Sequence, residues 1–187
     1  MLYPILKRSM DIIGGLIGLL VTGLLYIPIG IAIKLDSPGP VLFAQDRVGR
    51  DEAIVRIYKF RTMHLDAANG YAKPLVDDTR VTHLGRLLRH SSLDEFPQFY
   101  NVLRGDMSLV GPRPEQLPLA AHYDGWQRRR FAVKPGLTGW WQVNGRPQPM
   151  YEHVAYDIYY VDHRCTRLDL IILLRTLRAI LSGEGAV

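Results

Sequence analysis

Twenty-two consecutive residues, Ile12 to Ile33, carry no charged side chain. As a straight helix this run reaches about 33 Å, enough to cross the hydrocarbon core of a bilayer. It is longer than the apolar core of a cleavable signal, and no small-x-small cleavage site precedes the charged Lys34-Leu35-Asp36. The segment therefore reads as membrane-embedded. Two dispositions stay open. Length favours a spanning helix, whereas Lys7 and Arg8 before the run and Lys34, Arg47 and Arg50 after it put cations at both ends, as a re-entrant hairpin with both ends on one side requires. Gly14, Gly15, Gly18, Gly23 and Gly30 are expected to loosen the helix, and Pro28 removes one backbone hydrogen bond. Such residues also occur in ordinary transmembrane helices, so a kink is permitted rather than demanded.

A net charge of +5 asks for an anionic partner: nucleic acid, an anionic bilayer surface or a phosphorylated substrate. Nucleic acid is disfavoured by the embedded segment and by the lack of a recognisable binding module. The 187 residues, 48% of them hydrophobic, suit a single domain with a sizeable core. The lone Cys165 excludes an internal disulfide and has no Cys or His partner at zinc-site spacing, which points to a reducing compartment.

Beyond the turn Asp36-Ser37-Pro38-Gly39-Pro40, residues 41–45 and 54–61 read as strands of a hairpin. Period-two geometry puts Lys59 and Arg61 on one face, so two cations converge near its end or simply line a solvated face. Residues 64–79 are polar and read as a loop or lid. His83–His90 reads as a helix with Arg86 and Arg89 at i, i+3, a basic stripe for an anionic surface or plain solvated charge.

Ser92 and Glu95 have capping-box spacing, which predicts a helix from Ser92 to about Leu103 with Asp94 and Glu95 in its first turn. There the free N–H groups and the dipole favour ionised carboxylates, as a carboxylate nucleophile or a magnesium ligand requires. Neighbours on a helix point about 100° apart, so two acids can hold different positions around one phosphate. The alternative is that both acids only cap the helix. In the loop 104–114, Pro112 and Pro114 restrict the backbone around Arg113 and present its fork rigidly, which suits bidentate phosphate recognition. Residues 134–146 read as a second rigid loop, with Lys134 and Arg146 at its ends and Trp140 and Trp141 between, for stacking, core packing or the bilayer interface. Leu168–Leu181 is too short and too charged to span; it suits either the membrane interface or the core.

Lys7-Arg8, the apolar run, Lys34 to Pro40, Tyr58-Lys59-Phe60-Arg61-Thr62-Met63, Ser92-Leu93-Asp94-Glu95, Asn101 to Pro114 and Lys134 to Arg146 occur in order over nearly the whole chain. Together they resemble the bacterial sugar transferases known as monotopic phosphoglycosyl transferases. The resemblance implies transfer of a sugar-1-phosphate from a UDP-sugar to undecaprenyl phosphate, releasing UMP, at the cytoplasmic face of the bacterial inner membrane. It implies that Asp94 is the nucleophile and that Glu95 holds Mg²⁺. Lys59, Arg89 and Arg113 match basic positions of the family, and with Arg61 and Arg146 they form the expected substrate-binding set. The chain departs from the family pattern twice. Gly23 and Leu24 stand where a Ser-Pro break is usual, and Trp141 stands where Ala is common.

The expected architecture is thus α+β, mostly helical with a short β-hairpin, as one domain over 1–187. Residues 1–36 form a re-entrant membrane-embedded helix, and 37–187 form the cytoplasmic and interfacial catalytic part with amphipathic helices against membrane lipids.

Overall fold

In a computed structural model, which describes residues 2–65, 78–144 and 154–182, the apolar run lies inside one helix, α1 (Leu2–Asp36), that continues through Pro28. Its 35 residues extend about 52 Å. Its pattern is the reverse of a soluble amphipathic helix. The buried stripe, at helical spacing, is Asp11, Gly15, Gly18, Thr22, Gly30 and Ile33, small or polar residues apart from the last. The large apolar side chains of Leu16, Ile17, Leu20, Leu24, Ile27, Ile31 and Leu35 face outward. Apolar patches of this extent mark surfaces that meet a membrane or another protein.

The helix is held to the rest of the chain along its length. Near its start Tyr3 donates to Asp169 Oδ2 (3.1 Å), as does Lys7 (3.1 Å), which also reaches the Val110 carbonyl (2.9 Å). Arg8 donates to the carbonyls of Val102 (3.0 Å) and Leu103 (2.8 Å). Asp11 Oδ1 accepts from Ser108 Oγ and from the Leu109 N–H, both at 2.8 Å. Farther on, a Cβ at Gly18 would meet the Phe99 ring at 2.3 Å, and Thr22 donates to the Phe96 carbonyl at 3.2 Å. Glycines 14, 15 and 18 are therefore contact points against Leu109, Leu103 and Phe99 rather than the loosening elements the sequence suggested; among those expected to loosen α1, Gly23 alone meets nothing within 4 Å.

The hairpin forms as expected, with its first strand running on to Val48 and its second ending one residue earlier than read: β1 (Leu42–Val48) pairs antiparallel with β2 (Ile54–Phe60). α2 (His83–His90) follows, capped by Thr82 Oγ1 on the Gly85 N–H at 2.9 Å. The capping box expected next does not form. Ser92 is left-handed (φ 56°) and makes no side-chain cap, a 3-10 helix runs from Leu93 to Gln98, and α3 is only Phe99–Arg104. Ser92 turns the chain sharply after α2, and the Glu95 carboxylate is taken by two cations, so neither partner of the box is available.

β3 (Ser108–Val110) and β4 (Glu115–Gln116) then lead through short helices α4 (Leu117–Ala120) and α5 (Gly125–Arg128) and a 3-10 turn, Arg129–Ala132, to β5 (Gly136–Thr138). β4 joins the hairpin beside β1, and β5 pairs parallel with β3. The expected loop 134–146 is therefore partly a strand and partly α6 (Trp140–Asn144), because the Gly136 N–H and the Gly111 N–H interlock with Pro112 and Thr138 carbonyls. α7 (Val154–His163) and α8 (Thr166–Ser182) complete the fold, which is mostly helical with a few strands. The last helix packs on the core through Leu168 and Ile172, while Leu174, Leu177 and Leu181 form an exposed stripe.

One glycine binds α2 to the hairpin's end. A Cβ at Gly85 would lie 2.2 Å from the Thr62 carbonyl oxygen, a backbone atom with little room to yield. Gly85→Ala is expected to destabilise by about 1–3 kcal/mol, as overpacking does, and to displace Arg89 on the same helix. Thermal unfolding checks it: a melting temperature equal to wild type would show that α2 can move away freely.

Candidate active site

Four elements converge on the acidic pair. β2 supplies Lys59, the last turn of α2 supplies Arg89, the 3-10 helix supplies Asp94 and Glu95, and the segment between β3 and β4 supplies Arg113. Below them, the buried Asn101 of α3 donates from Nδ2 to the Arg56 carbonyl (2.8 Å) and accepts from the Tyr58 N–H (3.4 Å), which ties β2 to α3. Phe60 packs with Ile33 of α1 and Leu88 of α2, and Leu93 and Phe96 pack against this cluster, so the acids sit directly over an apolar support that includes α1.

Glu95 Oε1 accepts from Lys59 Nζ at 2.6 Å and from an Arg113 terminal nitrogen at 2.7 Å. Lys59 also lies 4.0 Å from Asp94 Oδ2. Arg89 donates to Thr62 Oγ1 at 2.9 Å, and its charge acts on Asp94. Burial alone would raise the Glu95 pKa, but Arg113 and Lys59 outweigh it and hold this carboxyl well below the usual range. Asp94 differs. Burial pushes its carboxyl up, against the pull of Lys59 and with the Glu95 charge adding to the push. The favourable field expected of a helix start is thus opposed at Asp94 by lost hydration, its side chain being 11% exposed. Three cations around two carboxylates leave the cluster with surplus positive charge, which suits an anionic ligand.

Among the other expected residues, Arg61 is buried and donates to the carbonyls of Ser37 (2.8 Å) and Pro38 (2.5 Å), so it braces the turn after α1 instead of joining Lys59 at the acids. Arg146 and most of the expected loop 64–79 lie outside the described residues. Trp141 is buried, and Trp140 is stacked on Tyr159 (ring centroids 5.5 Å apart) with the Arg175 guanidinium 5.2 Å from its centroid.

Sequence reasoning missed a second buried network behind Arg113. Arg130, in the run Arg128-Arg129-Arg130 that resembles solvated charge, has a fully buried side chain. It contacts Glu115 Oε2 (2.6 Å), Asp157 Oδ2 (2.7 Å), the Tyr123 hydroxyl (3.1 Å) and the Arg113 carbonyl (2.8 Å). No local pattern signals this, because its members are spread from position 113 to 157. Burial pushes the Asp157 carboxyl up to about 6, against Arg130 and with Glu115 assisting. A carboxyl raised in the folded state holds its proton more tightly there than in the unfolded chain. Its contribution to stability is present below the ordinary value of 3.8 and is lost as pH rises through about 6. Wild type is therefore expected to lose melting temperature relative to Asp157→Asn between pH 4.5 and 7; a constant difference between the two proteins would refute it.

The family model described as "Bacterial sugar transferase" matches residues 2–183. The chain is 43% identical over 198 residues to the galactosyl transferase CpsE of Streptococcus agalactiae, covering 98% of this chain and 44% of the relative. It is 40% identical over 193 residues to the UDP-N-acetylgalactosamine-undecaprenyl-phosphate N-acetylgalactosaminephosphotransferase of Aeromonas hydrophila, covering 99% and 46%. It is 42% identical over 182 residues to the uncharacterized sugar transferase EpsL of Bacillus subtilis, covering 97% and 90%. The chain thus spans less than half the length of the first two and most of the third. It belongs to the bacterial sugar transferase family.

Proposed function

We propose that this chain transfers a sugar-1-phosphate from a UDP-sugar to undecaprenyl phosphate through a covalent aspartyl intermediate, initiating assembly of a bacterial polysaccharide or other glycoconjugate. The observation that carries the proposal is the acidic pair itself. Glu95 is locked between Lys59 and Arg113, while the neighbouring Asp94 lies near Lys59 without a comparably short ion pair. The relative from Aeromonas hydrophila, by its printed name, acts on a UDP-sugar and undecaprenyl phosphate.

In the first step an Asp94 carboxylate oxygen attacks the β-phosphorus of the donor. The bond from that phosphorus to the bridging oxygen breaks, and UMP leaves with the electron pair. In the second step a phosphate oxygen of the lipid attacks the same phosphorus, and the bond to Asp94 breaks. The product is undecaprenyl-diphospho-sugar and a free carboxylate, and the kinetics are ping-pong. Arg113, Lys59 and Arg89 orient the phosphates and offset their charge.

No group of three or more metal-ligating side chains occurs among the described residues, but two adjoining carboxylates suit magnesium, which commonly takes one or two carboxylates and completes its shell with substrate phosphates and water. Glu95, with Asp94 beside it, would hold the ion; when bound, it neutralises the diphosphate and improves UMP as a leaving group.

The membrane part of the proposal rests on the reversed amphipathicity of α1. We place the outward leucines and isoleucines in the bilayer of the inner membrane, with both ends of α1 and the acidic pair on the cytoplasmic side. Contacts to the rest of the chain from Tyr3 to Ile33 support this, because a helix crossing the bilayer would carry one end away from the site. Cysteines at positions 3 and 36, in a Cys165→Ser background since Cys165 is exposed, are expected to be shielded alike from an impermeant reagent in intact cells and to react alike once the membrane is opened. Labelling of one position alone in intact cells would establish a spanning helix.

Release of UMP across a panel of UDP-sugars with undecaprenyl phosphate tests the activity and identifies the donor. UMP is expected with at least one of them, and its absence with all would overturn the assignment.

A further inference from the structure

Pro112 and Pro114 have no N–H, so the segment that carries Arg113 can be fastened chiefly through its carbonyls. All three carbonyls are taken. Pro112 accepts from the Gly136 N–H at 2.8 Å, Arg113 from Arg130 at 2.8 Å, and Pro114 from Arg47 at 3.5 Å. Only the middle contact is a charge-assisted bond from a fully buried side chain. Arg113 is thus held at both ends: its backbone by Arg130, its guanidinium by Glu95.

Arg130 is itself fixed from three other elements. Glu115 on β4 accepts from it at 2.6 Å, Asp157 on α7 pairs with it at 2.7 Å, and the Tyr123 hydroxyl lies at 3.1 Å while donating to Glu115 Oε2 at 2.5 Å. Glu115 also accepts from the Gln116 N–H at 2.8 Å. A buried arrangement of one guanidinium and two carboxyls is a poor way to gain stability, since apolar side chains of similar volume often do as well or better. What the arrangement supplies is direction: a planar fork with fixed donors aims one of them at the Arg113 carbonyl.

We propose that Arg130 is a positioning residue for the transfer reaction, acting through the backbone of Arg113 and held in place by Glu115, Asp157 and Tyr123, without touching substrate. The inference rests on the function proposed above, in which Arg113 meets the donor phosphates. A misplacement of about 1 Å in such a group can cost about 10²-fold in rate.

The test is a double-mutant cycle on the full chain in detergent, reading kcat/KM for UMP release with a UDP-sugar that wild type turns over. Arg130→Lys keeps the charge and loses the fork. It is expected to lower kcat/KM by about 10²-fold in the wild-type background and by less than about twofold when Arg113 is already alanine, because the effect passes through Arg113. Equal losses in both backgrounds would overturn the proposal and make the network a support of the fold in general. Tyr123→Phe, which removes only a hydroxyl, runs the same cycle if Arg130→Lys does not fold; additive losses there, or a loss of folding there too, overturn it equally. Wild type that releases no UMP would count against the proposed function. A fully active Arg113→Ala beside an active wild type would count against the role of Arg113 and against this inference with it.

Discussion

Asp94→Asn is expected to abolish transfer, lowering kcat by on the order of 10⁴-fold or more, the scale on which loss of a covalent nucleophile registers. The amide has nearly the carboxylate's shape but is a far weaker nucleophile at phosphorus. The change is expected to leave the fold intact. Asp94 is buried, and an amide of nearly the same shape fits the space that it occupies. Lys59 and Arg113 keep their partner in Glu95. Loss of turnover with an unchanged melting temperature is the expected pair of results. Turnover near wild type would remove the covalent step and leave Asp94 as a structural acid.

Glu95→Gln is expected to act in a different way and to cost about 10²–10³-fold, comparable to removing one preorganised electrostatic contact. In wild type a single oxygen draws Lys59 and Arg113 together at 2.6 and 2.7 Å. A neutral amide leaves two cations facing each other without the shared counter-charge, so the two side chains proposed to orient the donor phosphates separate. Half-saturation in a magnesium titration is expected to move to higher concentration, since a ligand charge is lost. An unchanged titration with lowered activity would leave Glu95 as the anchor of the two cations and no metal ligand. The third possibility raised by the sequence, a helix cap, does not arise, because Ser92 makes no capping bond.

Local patterns and remote contacts explain which parts of this molecule are legible from its sequence. The hairpin, α2 and the last helix follow from periodicity and turn residues within a dozen positions of one another, and they occur close to where those signals put them. The spacing of Ser92 and Glu95 is an equally local signal, yet it fails. A charge-assisted bond to Lys59, 36 positions away, and another to Arg113 outweigh a local cap on the backbone. Arg61 shows the same competition, drawn from Lys59's face to the carbonyls of a turn that its own strand does not contain. The glycines of α1 were legible as glycines but not as contacts, since what Gly18 touches is Phe99 on α3. Arg130 was the least legible of all. A run of three arginines resembles a wet surface, and only the folded chain brings Glu115, Tyr123 and Asp157 around the third of them.

The covalent phosphosugar on Asp94 is the centre of the account, and intact-mass measurement tests it most directly. The full chain is mixed with a UDP-sugar that it turns over, with magnesium and without undecaprenyl phosphate. The expected result is a mass increase of one sugar phosphate per chain, mapped to the peptide containing Asp94, with one equivalent of UMP released and the adduct lost when the lipid phosphate is added. UMP release that requires both substrates together, with no adduct at any time, would contradict it.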